Sequence, residues 1–247
     1  MSLLAKLEEL RDFDTALLAN TIGYIDPTPP HEYYMGGSIR SLTPTIEPTV
    51  GVAFTCELDS STPVVAGKSV DTGPQGYDFY DQLEEMSRSG QPVVWVVKAV
   101  GSRRDHECIL GDGMGKALFA SGCLGAVTDG GVRDIKGLLT TPFAVYARGL
   151  TIHHCALRFR SFNQPVEVGG LLIKPGDVIH ANSEGVIRIP ATCLETLAKR
   201  AIEMRAFELD AHRALRRTDL SPTRKREHVL ALLAQYGFAP AAARADL

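Results

Sequence analysis

The 247-residue chain is predicted to form one α/β domain with an N-terminal helix over residues 1–190, followed by a helical extension over residues 191–247. This length suits a single large domain with terminal additions. Strand, helix and strand patterns alternate between residues 92 and 147, which favours a parallel βαβ core. Beyond residue 190 the apolar residues instead follow the period of α-helices.

The composition is that of an ordinary globular protein and argues against several functional classes. Hydrophobic residues make up 45% and charged residues 22% of the chain, which is typical of neither disordered nor membrane proteins. The formal net charge of −3 gives no reason to expect a nucleic-acid partner. No apolar run reaches the roughly 18 residues of a membrane span, and the N-terminus lacks an apolar signal core. We therefore expect a cytoplasmic protein that binds neither membranes nor nucleic acid.

The cysteines predict neither a zinc site nor a disulfide framework, because they are odd in number, widely spaced and without a Cys-x-x-Cys pair. The five cysteines are Cys56, Cys108, Cys123, Cys155 and Cys193. A catalytic thiol needs a paired base, and the sequence identifies none. Buried small hydrophobic side chains are the favoured role.

The N-terminal half contains a predicted outer helix and the first buried strands. Residues 1–24 repeat leucine and phenylalanine near a 3.6-residue period, and prolines from residue 27 onwards end this helical pattern. Residues 49–56 are rich in β-branched side chains and predict a strand, whereas residues 77–87 predict a helix. Residues 92–100 are apolar on both faces, as expected for a central strand covered on both sides.

The C-terminal half changes from buried strands to short strands and then to helices. A short helix is predicted at residues 116–121, with buried strands at 124–128 and 142–147. Between residues 166 and 190, short strands alternate with glycine turns, which predicts an antiparallel meander. Residues 191–217 and 222–235 predict two helices whose basic residues are interleaved with acids. A solvated face is therefore favoured over a nucleic-acid patch, and an oligomer contact is the working hypothesis for this extension.

One dense cluster combines glycines with charges of both signs, at residues 111–116 and 129–134. If the strand at 124–128 belongs to a parallel sheet, both segments lie at the C-terminal ends of strands, where open α/β sheets bind ligands. Gly111–Met114 precedes a helix, so its backbone N–H groups can bind an anion. The segment lacks the spacing of a phosphate or dinucleotide loop, so a carboxylate is the better ligand.

Arg133 and Asp134 end this cluster and present a guanidinium beside a carboxylate. Mg²⁺ and Mn²⁺ select oxygen ligands, and magnesium needs only one or two protein carboxylates. Arginine binds a substrate carboxylate through two parallel hydrogen bonds. From residue types alone, a surface turn with a local ion pair has equal support.

Three further residues have weaker claims to chemistry. Lys98 ends the buried strand and would be a Schiff-base lysine if desolvated, although pairing with an acid is the favoured role. His153 and His154 are adjacent, so in an extended segment they point to opposite faces and do not easily share one metal.

Two sequence blocks resemble the RraA-like family, which includes the 4-hydroxy-4-methyl-2-oxoglutarate aldolases. The first block comprises Leu110–Ala117 and Gly122–Asp134, and the second comprises Gly169-Gly170, Lys174–Ile179 and Gly185–Pro190. The resemblance covers residues 10–210 approximately. It implies a swivelling β/β/α fold that assembles as a homotrimer or homohexamer with sites between subunits. Some members instead inhibit a ribonuclease, so the alternative function is a protein-binding regulator without enzymatic activity.

The resemblance implies a class II pyruvate aldolase, a carbon–carbon lyase that uses Mg²⁺ or Mn²⁺. Its substrate would be a 4-hydroxy-2-oxo acid that is cleaved to give pyruvate, with decarboxylation of oxaloacetate as a side activity. In the site that the resemblance implies, Asp134 is the metal ligand, Asp112 contacts the metal through water, and Arg133 binds the substrate. The pyruvyl carboxylate binds to the backbone of Gly111, Asp112, Gly113 and Met114. A neighbouring subunit contributes Glu208 or Glu203.

Overall fold

The computed structural model of the protein describes residues 2–46, 48–62, 75–101, 103–154 and 156–238. Cys155 and the end of the predicted extension, residues 239–247, lie outside this part of the chain. The helices are α1 (Leu3–Leu10), α2 (Thr15–Ile25), α3 (Gln75–Arg88), α4 (Asp112–Ala120), α5 (Ile135–Leu138), α6 (Leu197–Leu215) and α7 (Pro222–Gln235), with a short 3-10 helix at Pro30–Glu32. No helix within the described ranges is long and apolar enough to cross a membrane.

The strands alternate with these helices, which confirms the predicted α/β fold. They are β1 (Arg40–Ser41), β2 (Thr49–Thr62), β3 (Val93–Val100), β4 (Glu107–Leu110), β5 (Cys123–Thr128), β6 (Gly131–Val132), β7 (Ala144–Ala147), β8 (Gly149–Leu150), β9 (His153–His154), β10 (Ala156–Arg160), β11 (Val166–Val168), β12 (Leu171–Ile173), β13 (Val178–Asn182) and β14 (Gly185–Ile189).

The main sheet has the order β1-β7-β5-β3-β2-β13-β14, and β10 also pairs with β2. Strands β3, β5 and β7 run parallel to one another, as the pattern between residues 92 and 147 predicted, and β2 pairs parallel with β3 as well. The long strand β2 pairs antiparallel with β13 through its first residues and with β10 further along. Both faces of β3 are also buried, because Val93, Trp95 and Val97 belong to one core cluster and Val94 and Val96 to another, which explains the apolar run before Lys98.

A second sheet of four short parallel strands has the order β8-β6-β4-β9. Strands β6, β8 and β9 contain two residues each, which is too short for any periodicity to be visible in the sequence. The predicted meander is also divided: β11 and β12 form a separate hairpin, whereas β13 and β14 pair with each other and β13 joins the main sheet.

The helix patterns were correct in kind, but several boundaries differ from the prediction. The pattern of residues 1–24 is shared by two helices, because Asp14 has extended backbone angles (φ −71°, ψ 148°) before α2 begins. Helix α6 begins at Leu197 instead of residue 191, after a series of turns. Helix α7 has the predicted range; Pro222 occupies its first turn and the Ser221 hydroxyl accepts a hydrogen bond from the Arg224 N–H.

Helix α6 packs against α2 and buries its apolar stripe there. Leu197, Ala201 and Met204 belong to the same core cluster as Leu10 and Leu18 of the N-terminal helices. Burial of this kind contributes about 1.5–3 kcal/mol for each large aliphatic side chain. The division of the chain at residue 190 stays a prediction, and the observed packing ties this part of the extension closely to the N-terminal helices.

The four described cysteines have buried thiols, as the sequence predicted. Burial raises the pKa of the Cys56 and Cys123 thiols to about 12, so these thiols are protonated at neutral pH. Burial also raises the pKa of Cys108. None of these three groups is a ready nucleophile, because the reactive form is the thiolate.

His180, on β13, fastens the turn between α1 and α2 to the main sheet. Its Nδ1 lies 3.0 Å from the Thr15 hydroxyl and its Nε2 lies 3.2 Å from the Leu10 carbonyl oxygen. Because a carbonyl only accepts, Nε2 carries the hydrogen and Nδ1 accepts from Thr15. The ring is fully buried, and this burial lowers the pKa of His180 from 6.5 to about 4.

Because His180 is buried, we expect the free energy of unfolding to decrease as the pH falls from 6.5 towards 4. Over that window the unfolded chain binds a proton at His180 and the folded chain does not, so protonation favours unfolding. A pKa difference of about 2.5 units corresponds to roughly 3 kcal/mol. Urea unfolding of the wild type and of His180→Gln measures this directly, since other groups cancel in the comparison. The advantage of the wild type should grow between pH 4 and 7; a constant difference would contradict the prediction.

Candidate active site

The second sheet brings three strand ends together to form the candidate site. The Arg133 N–H donates to the Leu110 carbonyl (3.0 Å), and the Thr151 N–H donates to the Val132 carbonyl (3.0 Å). Gly111, Arg133 and Thr151 thus follow β4, β6 and β8 side by side. The expected location at the C-terminal ends of parallel strands is correct, but the sheet is not the one that contains β5. The residues of the candidate site follow strands of the small parallel sheet, which lies beside the main sheet.

The glycine-rich segment is the beginning of helix α4, whereas the sequence had predicted a loop before a helix at residue 116. Helix α4 begins at Asp112, and Gly111 precedes it with extended backbone (φ −126°, ψ −177°). The Gly115 N–H donates to the Gly111 carbonyl (3.0 Å) in the first helical turn. The N–H groups of the first helical residues have no partner within the helix, so they are available to an anion.

The side chains of Arg133 and Asp134 lie directly over Gly111. A Cβ atom at residue 111 would be 2.9 Å from Asp134 Oδ2 and 3.2 Å from Arg133 Nε. Arg133 Nε is itself 3.2 Å from Asp134 Oδ2, and Arg133 Nη1 donates to the Ile152 carbonyl (3.4 Å). Only glycine leaves room for this arrangement.

Asp134 has a left-handed backbone conformation (φ 59°, ψ 38°) at the start of α5. Aspartate is among the few non-glycine residues that adopt it. The conformation is held because the Asp134 carbonyl accepts hydrogen bonds from the Gly137 N–H (2.9 Å) and the Leu138 N–H (3.0 Å). Backbone strain of this kind is concentrated at functional sites.

Asp112 lies across the site from this turn and is paired within its own helix. Lys116 Nζ donates to Asp112 Oδ2 at 2.7 Å, and this hydrogen bond lowers the pKa of Asp112 below its ordinary value. A Cβ atom at Gly137 would be 2.5 Å from Asp112 Oδ2, so the carboxylate rests against α5. Asp112 is therefore ionised at neutral pH and held close to the Asp134 turn.

Two clefts adjoin these charged residues. The larger has a volume of about 660 Å³ and is lined by Asp112, Val132, Arg133, Asp134, Ile135, Lys136, Gly137, Leu150, Thr151 and Ile152. The smaller has a volume of about 230 Å³ and is lined by Cys108, Ile109, Leu110, Gly111, Asp112, Gly113, Met114, Arg133, Asp134 and Leu157. Asp112, Arg133 and Asp134 line both clefts and thus stand between them.

The structure brings together most of the residues that the sequence singled out. Gly111, Asp112, Gly113, Met114, Arg133 and Asp134 all line the smaller cleft. The two glutamates do not line either cleft within one chain: Glu208 Oε1 accepts from Asn20 Nδ2 (3.1 Å), and Glu203 pairs with Arg200. Lys98 does not line them either, because its Nζ donates to the Glu167 carbonyl (2.6 Å).

Sequence analysis missed the far wall of the larger cleft. Leu150 and Ile152 form this wall and are 66% and 89% exposed. Strand β8 is too short to give a sequence signal, so residues 149–152 went unnoticed. Lys136 and Gly137 were also missed, although their position immediately after Asp134 was a usable signal.

The residues of the site fit a metal ion that keeps most of its water. Among the described residues, no group of three or more His, Cys, Asp or Glu side chains is placed to hold a metal ion. Asp112 and Asp134 are two carboxylates that line the same clefts. One or two carboxylates with several waters are what Mg²⁺ requires, so this oxygen donor set fits Mg²⁺ or Mn²⁺.

Comparison with known proteins gives one family. A family model described as RraA-like, Aldolase/RraA, matches residues 30–188. A Halalkalibacterium halodurans protein, provisionally named a 4-hydroxy-4-methyl-2-oxoglutarate aldolase, is 34% identical over 137 residues, which are 54% of this chain and 63% of that relative. A Hahella chejuensis protein with the same provisional name is 30% identical over 108 residues, which are 43% of this chain and 65% of that relative. The chain thus spans less than two thirds of the length of these curated relatives.

Two solved structures share the fold. An uncharacterized protein from Pseudomonas syringae pv. tomato superimposes with a TM-score of 0.67 at 22% identity, covering 91% of this chain and 93% of that one. Streptomyces coelicolor RraAS2, described as an unusual member of the RNase ES inhibitor RraA protein family, gives a TM-score of 0.64 at 21% identity, covering 84% and 96%. Likeness at this level of identity shows the fold alone.

The packing of α4 on α5 predicts opposite effects for two glycine substitutions in the same helix. A Cβ atom at the buried Gly115 would be 2.4 Å from Leu138 Cδ2, whereas Gly113 is exposed with nothing within 4 Å. Gly115→Ala should lower the free energy of unfolding by about 1–3 kcal/mol through overpacking. Gly113→Ala should raise it by about 0.5–1 kcal/mol through helix propensity. Urea unfolding of both variants tests the contact between residue 115 and Leu138. Equal changes in the free energy of unfolding would contradict the prediction.

Proposed function

The chain belongs to the RraA-like family, and we propose that it acts in this family as a divalent-metal-dependent lyase that cleaves a 4-hydroxy-2-oxo acid to release pyruvate. One observation carries the proposal: Arg133 and Asp134 lie directly over Gly111 at the beginning of helix α4. A guanidinium, a carboxylate and the first backbone N–H groups of α4 thereby converge on the same pair of clefts. The names of the aldolase relatives add support, whereas the fold alone is shared with a solved structure from the RNase ES inhibitor RraA family.

The carboxylate of the 2-oxo acid would bind at the N-terminus of α4. The first N–H groups of the helix donate to it, and the positive end of the helix dipole favours its charge. The guanidinium of Arg133 lies next to the same backbone and has the fork geometry that carboxylates match. These two features orient the pyruvyl half of the substrate.

Asp134 would hold the metal ion directly, and Asp112 would contact it through water. The hydrogen bond from Lys116 lowers the pKa of Asp112, so this carboxylate contributes negative charge at neutral pH. When bound, Mg²⁺ or Mn²⁺ supplies a Lewis acid for the 2-keto oxygen. The residues of the chain thus provide two anionic groups for the cation and one cationic group for the substrate.

The bond that breaks joins C3 and C4 of the substrate. A water molecule takes the proton of the 4-hydroxyl group, the C4–O bond becomes a carbonyl, and the electron pair of the C3–C4 bond passes to the pyruvyl half. Arg133 stabilises the negative charge that develops there. The proton that the water took from the hydroxyl group is then transferred to C3, which gives pyruvate. Decarboxylation of oxaloacetate places charge on the same atoms and is the expected side activity.

We further propose that a second copy of the chain covers the larger cleft in a homotrimer or homohexamer. Leu150 and Ile152 are strongly exposed apolar side chains beside the charged residues, and patches of this kind favour protein contacts. Glu208 or Glu203 of the neighbouring copy would complete the site, because neither reaches it within one chain. The single chain would then be inactive.

Purified protein with Mg²⁺ or Mn²⁺ should release pyruvate from 4-hydroxy-4-methyl-2-oxoglutarate and decarboxylate oxaloacetate. Asp134→Asn should lower kcat/KM by roughly 100-fold or more, since losing a ligand costs more than the 10–100-fold of a supporting residue. Glu84→Gln on α3 removes an exposed carboxylate that pairs with Arg88 and serves as the control. If the wild type is inactive on both substrates, the lyase proposal fails and the ribonuclease-regulator alternative should be assayed.

A methyl group at residue 111 should displace both charged side chains and impair catalysis without unfolding the protein. Its backbone is extended, so alanine is tolerated there, but its Cβ would meet Asp134 Oδ2 and Arg133 Nε. Gly111→Ala should lower kcat/KM by about 10–100-fold, because a displacement of about 1 Å is that costly. Gly149→Ala, in the same small sheet with nothing within 4 Å, should have little effect. Equal rates in the two variants would contradict the proposed geometry.

A further inference from the structure

Asp129 occupies the short connection between β5 and β6 and is tied to the main sheet. Its Oδ1 accepts a hydrogen bond from the Ala99 N–H at 2.8 Å. Its Oδ2 lies 3.5 Å from Lys98 Nζ and 4.0 Å from an Arg104 guanidinium nitrogen. The Asp129 side chain is only 14% exposed, so these interactions are partly shielded from water. The carboxylate therefore joins the end of β3 to the turn that precedes β6.

The turn after Asp129 leads directly into the candidate site, and the Asp129 carboxylate is its charged anchor. The Gly130 N–H also donates to the Thr128 hydroxyl (2.9 Å), and β6 pairs with β4 and β8. Strand β6 contains only Gly131 and Val132, and Arg133 follows immediately. Gly130 packs closely against Ala99 and Ile109. A Cβ atom at residue 130 would be 2.9 Å from Ala99 Cβ and 3.0 Å from Ile109 Cδ1. A shift of this turn would therefore be passed directly to Arg133 and Asp134.

Lys98 connects this anchor to a third part of the fold. Its Nζ donates to the Glu167 carbonyl of β11 at 2.6 Å while it faces Asp129. The same ammonium group thus links the main sheet, the turn before β6 and the β11–β12 hairpin. Its role is to hold the carboxylate in place, since Lys98 does not line the two clefts of the candidate site.

We infer that Asp129 is a positioning residue, held by Lys98, that sets the placement of Arg133 and Asp134 over Gly111. The inference rests on the proposed function for its readout in catalysis. It does not require Asp129 to touch the substrate or the metal. Loss of the Asp129 carboxylate would release the turn, and the guanidinium and carboxylate of the site would move away from the N-terminus of α4.

The experiment combines four single variants and the double variant Asp129→Asn/Lys98→Met with two measurements. Asp129→Ala removes all contacts of the carboxylate, and Asp129→Asn keeps an oxygen for the Ala99 N–H. Lys98→Met removes the ammonium group and keeps most of the stem. Asp105→Asn is the matched control, because Asp105 pairs with Arg148 beside the same turn without holding it. The measurements are kcat/KM for pyruvate release and calorimetric binding of oxalate in the presence of Mn²⁺, on variants checked for folding by circular dichroism.

Asp129→Ala should lower kcat/KM and weaken oxalate binding on the order of 100-fold, as expected for a displacement of about 1 Å. Asp129→Asn and Lys98→Met should each lower kcat/KM and the oxalate affinity by about tenfold. The double variant should show about the same loss as either single variant, because the two residues act as one unit. Asp105→Asn should stay within about twofold of the wild type. If Asp129→Ala does not fold, the Asn and Met variants and their double variant still decide the outcome.

Several results would overturn the inference. An active wild type with Asp129 variants equal to Asp105→Asn overturns it alone and leaves the lyase proposal intact. A double variant whose loss is the product of the single losses overturns the link between Lys98 and Asp129. If the wild type binds Mn²⁺ and oxalate but cleaves no 2-oxo acid, the lyase proposal fails and the oxalate affinities decide the inference. A wild type that binds neither probe overturns both.

Discussion

The close approach of Arg133 and Asp134 to the backbone of Gly111 is the constraint on which the site depends. The space for both side chains exists because residue 111 has no Cβ atom, and the pairing of β4 with β6 brings the two segments together. The same contact places the charged groups beside the first N–H groups of α4. An arginine, a carboxylate and a helix N-terminus therefore share one small volume, although they come from segments about twenty residues apart.

The main sheet and the small sheet differ in what they contribute: the main sheet contributes to the buried core, and the small sheet positions the residues of the candidate site. The main sheet contains parallel strands with apolar side chains on both faces and provides a large part of the buried core. Three of the four strands of the small sheet have only two residues each, so this sheet offers few hydrogen bonds of its own to the site residues. Short strands therefore depend on contacts with the main sheet, and the Asp129 carboxylate is one such contact.

The charged side chains of the site form ion pairs with each other that a bound ligand would have to replace. Asp112 pairs with Lys116 and Asp134 pairs with Arg133, and all four side chains are partly exposed. Exposed ion pairs of this kind contribute only about 0–1 kcal/mol. The proposed divalent cation and anionic substrate would therefore replace these pairs at little cost, and Arg133 would turn from a carboxylate of the protein to one of the ligand.

The sequence by itself determined the parallel core, because the apolar residues on both faces of β3 permit only a central strand. It also singled out Gly111–Met114, Arg133 and Asp134, through their unusual combination of glycine and charge and their family resemblance. Only the tertiary structure decided that the glycine segment begins a helix and that Leu150 and Ile152 form a cleft wall. Both depend on the small parallel sheet, whose two-residue strands are defined by hydrogen bonds between distant segments. Such strands have no local period, so no pattern along the chain reveals them.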